Sequence, residues 1–203
     1  MQSRQGFTLV EMLVVIGIII TLLGASVGGY SAITKMAERS KARELVLNVA
    51  TGLSAIYQQT GAWPRRIAEH GEPDGRLDAE VAPALNGYVS MNISSGKAAG
   101  LDRFGIVTPW ATTVLKNKGA SASASTVVSY SKDGPKSVDD HVLHYAVDLD
   151  GDGIVVASVG GETINVRASA IVWCAGKDGY MEPYTKGLRQ DDIYSWDPGQ
   201  KVN

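Results

Sequence analysis

The chain has 203 residues, of which 19 are Lys or Arg and 21 are Asp or Glu, so its formal net charge at pH 7 is −2. This balance excludes a bulk attraction to nucleic acid or to acidic lipid. A hydrophobic fraction of 44% argues against wholesale disorder, and the single cysteine, Cys174, excludes an intrachain disulfide.

The N-terminal part of the chain is set apart by its apolar character. No charged residue occurs between Met12 and Thr34, and residues 7–27 consist mainly of Leu, Val, Ile and Met. A bilayer core of ~30 Å requires about 20 helical residues, so this stretch predicts one membrane-spanning helix. An ordinary secretory signal peptide, cut near residues 25–28, is the alternative.

Glu11 is the acidic residue inside this apolar stretch, close to its start. A comparable charge at mid-membrane costs ~3 kcal/mol on insertion scales, so a carboxylate here requires a partner. A place in the headgroup layer is the alternative, because Glu11 lies near the end of the apolar segment. Glu11 is therefore a candidate functional residue.

The segment Gly6-Phe7-Thr8-Leu9-Val10-Glu11, which follows a short leader with Arg4 and precedes the apolar run, resembles the processing signal of type IV pilins and pseudopilins. The resemblance implies that residues 1–6 are a leader, that a prepilin peptidase cuts between Gly6 and Phe7, and that the new N-terminus is methylated. It also implies that the Glu11 carboxylate pairs with the Phe7 amine of a neighbouring subunit. Such a pair relieves two desolvation costs at once.

Residues 35–62 continue the helical pattern as an amphipathic helix. Apolar residues recur there at steps of three and four, with charged residues on the other faces. No proline interrupts residues 7–62, so the segments 7–34 and 35–62 together predict one continuous helix of about 50 residues. It is expected to end near Gly61, because Pro64 follows.

Residues 63–140 form a variable region between helix and sheet, and residues 106–140 within it look additional to the family. Residues 141–203 predict an antiparallel sheet and a C-terminal loop. Strands are expected over residues 142–147, 154–159 and 168–173, and the Gly-rich turns between them predict a meander. Packed on the second half of the helix, this sheet gives an α+β fold.

The C-terminal segment contains Asp178-Gly179, then Asp191-Asp192-Ile193 and Trp196, and it resembles the end of the major pseudopilins of type II secretion. That resemblance implies a calcium ion held by Asp178, Asp191 and Asp192 together with backbone carbonyls, in line with the preference of calcium for six to eight oxygen ligands. The alternative is that Asp178 caps a turn while Asp191 and Asp192 face solvent. We expect Trp196 to pack against the sheet.

A second calcium candidate is the run Asp148-Leu149-Asp150-Gly151-Asp152-Gly153, whose aspartates have the spacing of a calcium loop. An EF-hand requires a bidentate acid at the twelfth position, which is Val159 here. Asp-Gly pairs are also common in tight hairpins, so a turn is favoured over a metal site.

No nucleophile elbow, phosphate loop or paired-carboxylate signature occurs in the sequence, which predicts that the protein is not an enzyme. No basic-aromatic strip indicates nucleic-acid binding. The resemblance instead implies a structural subunit that polymerises through its N-terminal helix into a periplasmic pseudopilus for type II protein secretion. Its expected partners are further copies of itself, the prepilin peptidase, the inner-membrane secretion platform and minor pseudopilins.

The expected location is the inner membrane, crossed once, with the C-terminal head in the periplasm. The cations between Lys35 and Arg43 follow the span and would place the head in the cytoplasm by a positive-inside count. The processing signal takes precedence, because its peptidase acts on a cytoplasmic leader. Alternatives are a minor pseudopilin, a type IV pilin for adhesion, motility or DNA uptake, and a monomeric membrane-anchored binding module.

Overall fold

The computed structural model describes residues 8–71, 73–89, 105–111, 130–131, 134–135, 141–181 and 191–196. The side chains of residues 25–29, 31, 130–131 and 134–135 lie outside the described part. The chain divides into two compact units, Met1–Ser40 and Lys41–Asn203. The predicted segment boundaries at residues 34, 62 and 140 stay predictions.

Helix α1 spans Leu9–Thr60, as the proline-free periodicity predicts. Gly61 follows the last helical residue; its φ of +67° is left-handed, and its N–H donates to the Tyr57 carbonyl over 2.8 Å. Glycine is favoured at this place because it has no Cβ to clash in the left-handed region. A short helix that the sequence did not predict, α2 (Arg65–His70), begins directly after Pro64.

The first unit presents apolar side chains to its surroundings. Leu9 is 82% exposed, and most of the large apolar side chains that follow it on α1 are exposed as well. Within the part of the chain that the structure describes, no helix is both long and apolar enough to cross a membrane. The membrane span over residues 7–34 stays a prediction.

Among its described residues, the second unit has eight strands, named in chain order, and one short 3-10 helix at Ala82–Leu85. The strands are β1 (Gly75–Arg76), β2 (Tyr130–Ser131), β3 (Gly134–Pro135), β4 (His144–Val147), β5 (Ile154–Val159), β6 (Glu162–Arg167), β7 (Ala170–Cys174) and β8 (Ile193–Tyr194). A four-stranded antiparallel sheet has the order β1-β4-β7-β8, and β2 with β3 and β5 with β6 form two separate antiparallel pairs.

The predicted meander is wrong. Strand β4 pairs with β7, with Val147 opposite Ala170, and the β5–β6 hairpin is inserted between them in the chain. Strand β6 was missed because polar residues take four of its six positions and leave no apolar run. The third predicted strand begins two residues later than expected, at Ala170.

Both faces of the main sheet are covered, which explains its pairing. Tyr145 and Val147 of β4 pack into a core with α1, while Ala146 between them packs into a second core with the hairpin. Strand β7 is buried at all five positions, so it reads as a continuous apolar run rather than an alternation. The α1 residues in the first core recur at steps of four and three: Ala42, Val46, Val49, Leu53 and Ile56.

The α+β fold is thus confirmed, with a long N-terminal helix followed by a small antiparallel sheet packed against its second half. Trp196 contacts Trp173 of β7 edge to face, at a centroid distance of 6.1 Å, as expected for packing on the sheet.

Candidate functional site

The first turn of α1 is closed by reciprocal hydrogen bonds between Thr8 and Glu11. The N–H and the hydroxyl of Thr8 each donate to Glu11 Oε2 over 2.8 Å, and the N–H of Glu11 donates to Thr8 Oγ1 over 3.3 Å. This is a capping box, which satisfies N–H groups that have no intrahelical partner at a helix start. The Thr-x-x-Glu pattern was a signal for it in the sequence, and our interpretation of Glu11 did not use it.

The cap leaves Glu11 able to take a further partner. Both of its hydrogen bonds from Thr8 go to the same carboxylate oxygen. An ionised carboxylate has about four acceptor sites, so a cation can approach while the cap is intact. The positive end of the helix macrodipole also stabilises a negative charge in the first turn. The first turn therefore orients the Glu11 carboxylate and leaves it acceptor sites for a cation.

The surface around Glu11 is apolar and exposed. Large side chains with at least 45% exposure cover the first turns of α1. A contiguous apolar surface of this kind marks a site of association with protein or membrane. Its members between residues 9 and 23 are Leu9, Val10, Met12, Leu13, Val14, Val15, Ile16, Ile18, Ile19, Ile20, Leu22 and Leu23.

The predicted processing residues, Gly6 and Phe7, lie outside the described residues. Cleavage between them and pairing of the Phe7 amine with Glu11 stay predictions.

The predicted C-terminal metal residues contact backbone amides. Asp191 Oδ2 accepts the N–H of Lys177 over 2.7 Å, and Asp192 Oδ1 accepts the N–H of Gly176 over 2.9 Å. Asp178 Oδ1 accepts the N–H of Tyr180, within its own turn, over 3.0 Å. The structure brings Asp191 and Asp192 to the same backbone segment, and Asp178 is engaged separately.

The alternative acidic loop joins β4 to β5. Among the described residues, Asp148, Asp150 and Asp152 are the group of three acidic side chains whose oxygens lie within 4.8 Å of one another. Asp148 is buried, and its two oxygens accept the N–H groups of Gly151 and Gly153 over 2.7 and 2.9 Å. Carboxylate oxygens are the ligands that calcium prefers, so this loop has a donor set that suits the ion.

The acidic loop is also tied to the end of α1, which sequence reasoning missed. Trp63 donates its indole N–H to the Asp148 carbonyl over 2.6 Å. The ring of Trp63 stacks on Tyr57 of α1, with a centroid distance of 4.8 Å. A lone tryptophan beside a proline gives no sign of a partner 85 residues away.

Cys174 is a packing residue in the described head. It is fully buried, and burial raises the pKa of its thiol, which the negative charge of Asp192 raises further. The thiol therefore stays neutral and unreactive over the physiological pH range. His144 lies on β4, where its Nδ1 is 2.6 Å from Asp74 Oδ1 and its ring stacks on Trp173. Both contacts hold β4 in the sheet.

Comparison with known proteins gives two matches. Residues 1–27 match the family described as the prokaryotic N-terminal methylation motif. The chain is also similar to the fimbrial protein EcpC of Eikenella corrodens, with 28% identity over 134 residues, which are 66% of this chain and 79% of that protein. No solved structure matches the chain significantly.

These matches confirm the resemblance to the type IV pilin superfamily. They support a pilin-type structural subunit, and with it self-assembly into a filament and processing by a prepilin peptidase. Neither match singles out the major pseudopilin.

Proposed function

We propose that this chain, which carries the processing motif of the type IV pilin superfamily, is a structural subunit of a periplasmic pseudopilus for type II protein secretion. The subunit is cut after Gly6, and its trimmed helix α1 then polymerises with copies of itself. The observation that carries the proposal is the exposed apolar surface of α1 with Glu11, oriented by Thr8, at its start.

The apolar surface favours assembly because it has no covering element within the described part of its own unit. Transfer of apolar surface out of water contributes about 25 cal/mol per Å². Before assembly, we propose that a bilayer covers this surface, with the head in the periplasm. In the filament, the helices of neighbouring subunits replace the lipid.

Glu11 supplies register to an otherwise non-directional association. Apolar contacts alone allow one helix to slide along another. A carboxylate in an apolar setting requires a cation, and we propose that the Phe7 amine of a neighbouring subunit is this cation. Each subunit is then placed at one axial position along its neighbour.

A type IV pilin is the second candidate function, and the fimbrial relative favours it. The secretion role is supported by the resemblance of the C-terminal Asp178-Gly179 and Asp192-Ile193 pairs to major pseudopilins. Deletion of the gene separates the two. A pseudopilin deletion stops the export of secreted enzymes, whereas a pilin deletion removes surface fibres and leaves export intact.

The assembly mechanism is tested by two substitutions at Glu11. Glutamine at this place retains the capping box but has no charge, whereas alanine removes both. We expect Glu11→Gln and Glu11→Ala to abolish filaments equally, measured by shearing and electron microscopy of cells that overproduce the subunit. Normal filament yield from Glu11→Gln would contradict the proposed ion pair and leave only the cap as the role of Glu11.

The matched control is Thr8→Ala, which removes the cap but keeps the charge. Loss of an N-cap side chain costs typically ~1 kcal/mol of helix stability. We expect Thr8→Ala to lower filament yield and Glu11→Gln to remove filaments entirely.

A further inference from the structure

We propose that Asp191 and Asp192 close the C-terminal segment (residues 191–196) onto the turn after β7 through backbone N–H groups, and that this closure does not require a bound metal. The proposal concerns the folded head alone and does not rest on filament assembly.

The two carboxylates meet consecutive amides of one turn. The N–H of Gly176 donates to Asp192 Oδ1 over 2.9 Å, and the N–H of Lys177 donates to Asp191 Oδ2 over 2.7 Å. The other oxygen of Asp192 accepts the Tyr194 hydroxyl over 3.3 Å. Hydrogen bonds to a charged acceptor are stronger than those between neutral groups, and Asp192 is only 5% exposed, which limits competition from water.

Gly176 leaves room for the Asp191 carboxylate because it has no Cβ. A Cβ built at Gly176 would lie 2.1 Å from Asp191 Cγ and 2.2 Å from its Oδ2. A side chain fits in that space only if the Asp191 carboxylate is displaced, because this carboxylate lies directly against the backbone of the turn. The glycine is explained by this close approach, without any reference to a metal.

The same segment is held again on the other side of β8. The N–H of Val172 donates to Ser195 Oγ, and the N–H of Ser195 donates to the Val172 carbonyl, each over 2.9 Å. Between these two contact points, Cys174 of β7 pairs with Ile193 of β8. The C-terminal segment is therefore attached at both ends of its short strand by the chain's own groups.

The acids of this region do not form one donor set. Asp178 is bonded within its own turn to the Tyr180 N–H. Among the described residues, its oxygens, those of Asp191 and those of Asp192 are not grouped within the 4.8 Å that links the acids of the β4–β5 loop. Asp191 and Asp192 instead make the contact that a metal would otherwise be needed to supply, namely attachment of the start of the C-terminal segment to the turn after β7.

The test is hydrogen–deuterium exchange of the full chain in detergent micelles, read by mass spectrometry on peptides that contain Gly176 and Lys177. We expect the same exchange rate with excess EDTA and with saturating calcium. Asp191→Ala is expected to raise this rate about tenfold, since it removes one charge-assisted hydrogen bond. Gly176→Ala is also expected to raise the exchange rate, because its side chain displaces the Asp191 carboxylate.

Asp178→Ala is the matched control, since it removes a carboxylate of the same turn whose hydrogen bond goes to the Tyr180 N–H and not to the N–H of Gly176 or Lys177. We expect it to leave the exchange rate of the Gly176 peptide unchanged. Two outcomes would overturn the proposal. One is fast exchange of the Gly176 peptide in EDTA that calcium slows, together with equally fast exchange in Asp178→Ala. The other is an exchange rate in Asp191→Ala that equals that of the unsubstituted chain.

Discussion

Gly105 occupies a place in the head where the backbone leaves no room for a side chain. Its φ is +98°, and a Cβ built there would lie 2.1 Å from the Leu77 carbonyl oxygen. The neighbouring Ile106 N–H donates to that same carbonyl over 2.8 Å, so the two backbone segments are held together at this point. Gly161 has a similar φ of +82°, but nothing lies within 4 Å of its Cβ position.

These two glycines allow backbone strain and steric overlap to be separated. Gly161→Ala is expected to cost about 1–2 kcal/mol, the penalty for an L-residue in the left-handed region. Gly105→Ala is expected to cost the same amount and, in addition, about 1–3 kcal/mol for the overlap of its Cβ with the Leu77 carbonyl oxygen. Thermal unfolding of the full chain, followed by circular dichroism, measures both. Equal losses in the two variants would mean that the Leu77 segment moves away without cost.

Helix α1 contributes one face to the main core, and that face is defined by spacing. Leu53 is fully buried among the residues of the sheet, while Leu47, on the same helix, is 42% exposed. Both are leucines in the same helix, so their helix propensities are equal. Differences between their alanine variants therefore report packing alone.

We expect Leu53→Ala to lower the free energy of unfolding by about 2–5 kcal/mol, because it leaves a cavity in the core. Leu47→Ala is expected to change it by less than about 0.5 kcal/mol. Chemical denaturation of the full chain gives both values. A large loss in Leu47→Ala would mean that the exposed face of α1 is covered in the isolated subunit.

The β4–β5 loop brings three aspartates together, and each of them also accepts a backbone N–H of the turn that the sequence favoured here. Calcium binding at this loop is a proposal. The resemblance to major pseudopilins had instead implied an ion at Asp178, Asp191 and Asp192. The oxygens of Asp148, Asp150 and Asp152 lie within 4.8 Å of one another, which is close enough for one cation to share them.

Calcium at this loop would raise the melting temperature of the full chain, because an ion that binds only the folded state adds about 2.7 kcal/mol at one hundred times its dissociation constant. We expect Asp150→Asn to abolish the rise and Asp178→Asn to leave it unchanged. Differential scanning fluorimetry with calcium and with EDTA makes the comparison. If only Asp178→Asn abolished the calcium-dependent rise in melting temperature, the calcium site would lie in the C-terminal loop instead.

For the whole molecule, the decisive step is the removal of the leader. The proposed function requires that the assembled chain begins at Phe7 with a methylated amine, since this amine is the partner of Glu11. The match of residues 1–27 to the prokaryotic N-terminal methylation motif supports this. An ordinary secretory signal would instead give a chain that begins near Gly28.

Mass spectrometry of the protein from the membrane fraction distinguishes these two forms. We expect the intact mass of a chain that lacks residues 1–6 and carries one added methyl group. Gly6→Ala is the matched variant, expected to block cleavage because the resemblance places glycine before the cut. A chain that starts near Gly28 would reject the pilin-type function as a whole.

The sequence by itself determined the helix and its ends, since these depend on contacts between residues close in the chain. The three- and four-residue spacing, the absence of proline and the glycine after Thr60 act within single turns of helix. The capping box of Thr8 and Glu11 belongs to the same class, because its partners are three residues apart. The processing signal is likewise a continuous run of residues.

Only the tertiary structure decided which strands pair and what the acids contact. Strand β4 pairs with β7 across an inserted hairpin, because the main sheet buries both of its faces, one against α1 and one against β5 and β6. Asp191 meets Lys177 across 14 residues, and Trp63 meets Asp148 across 85. Such partners are chosen by burial and by the need to satisfy backbone groups in the folded head, and these conditions exist only once the chain has folded.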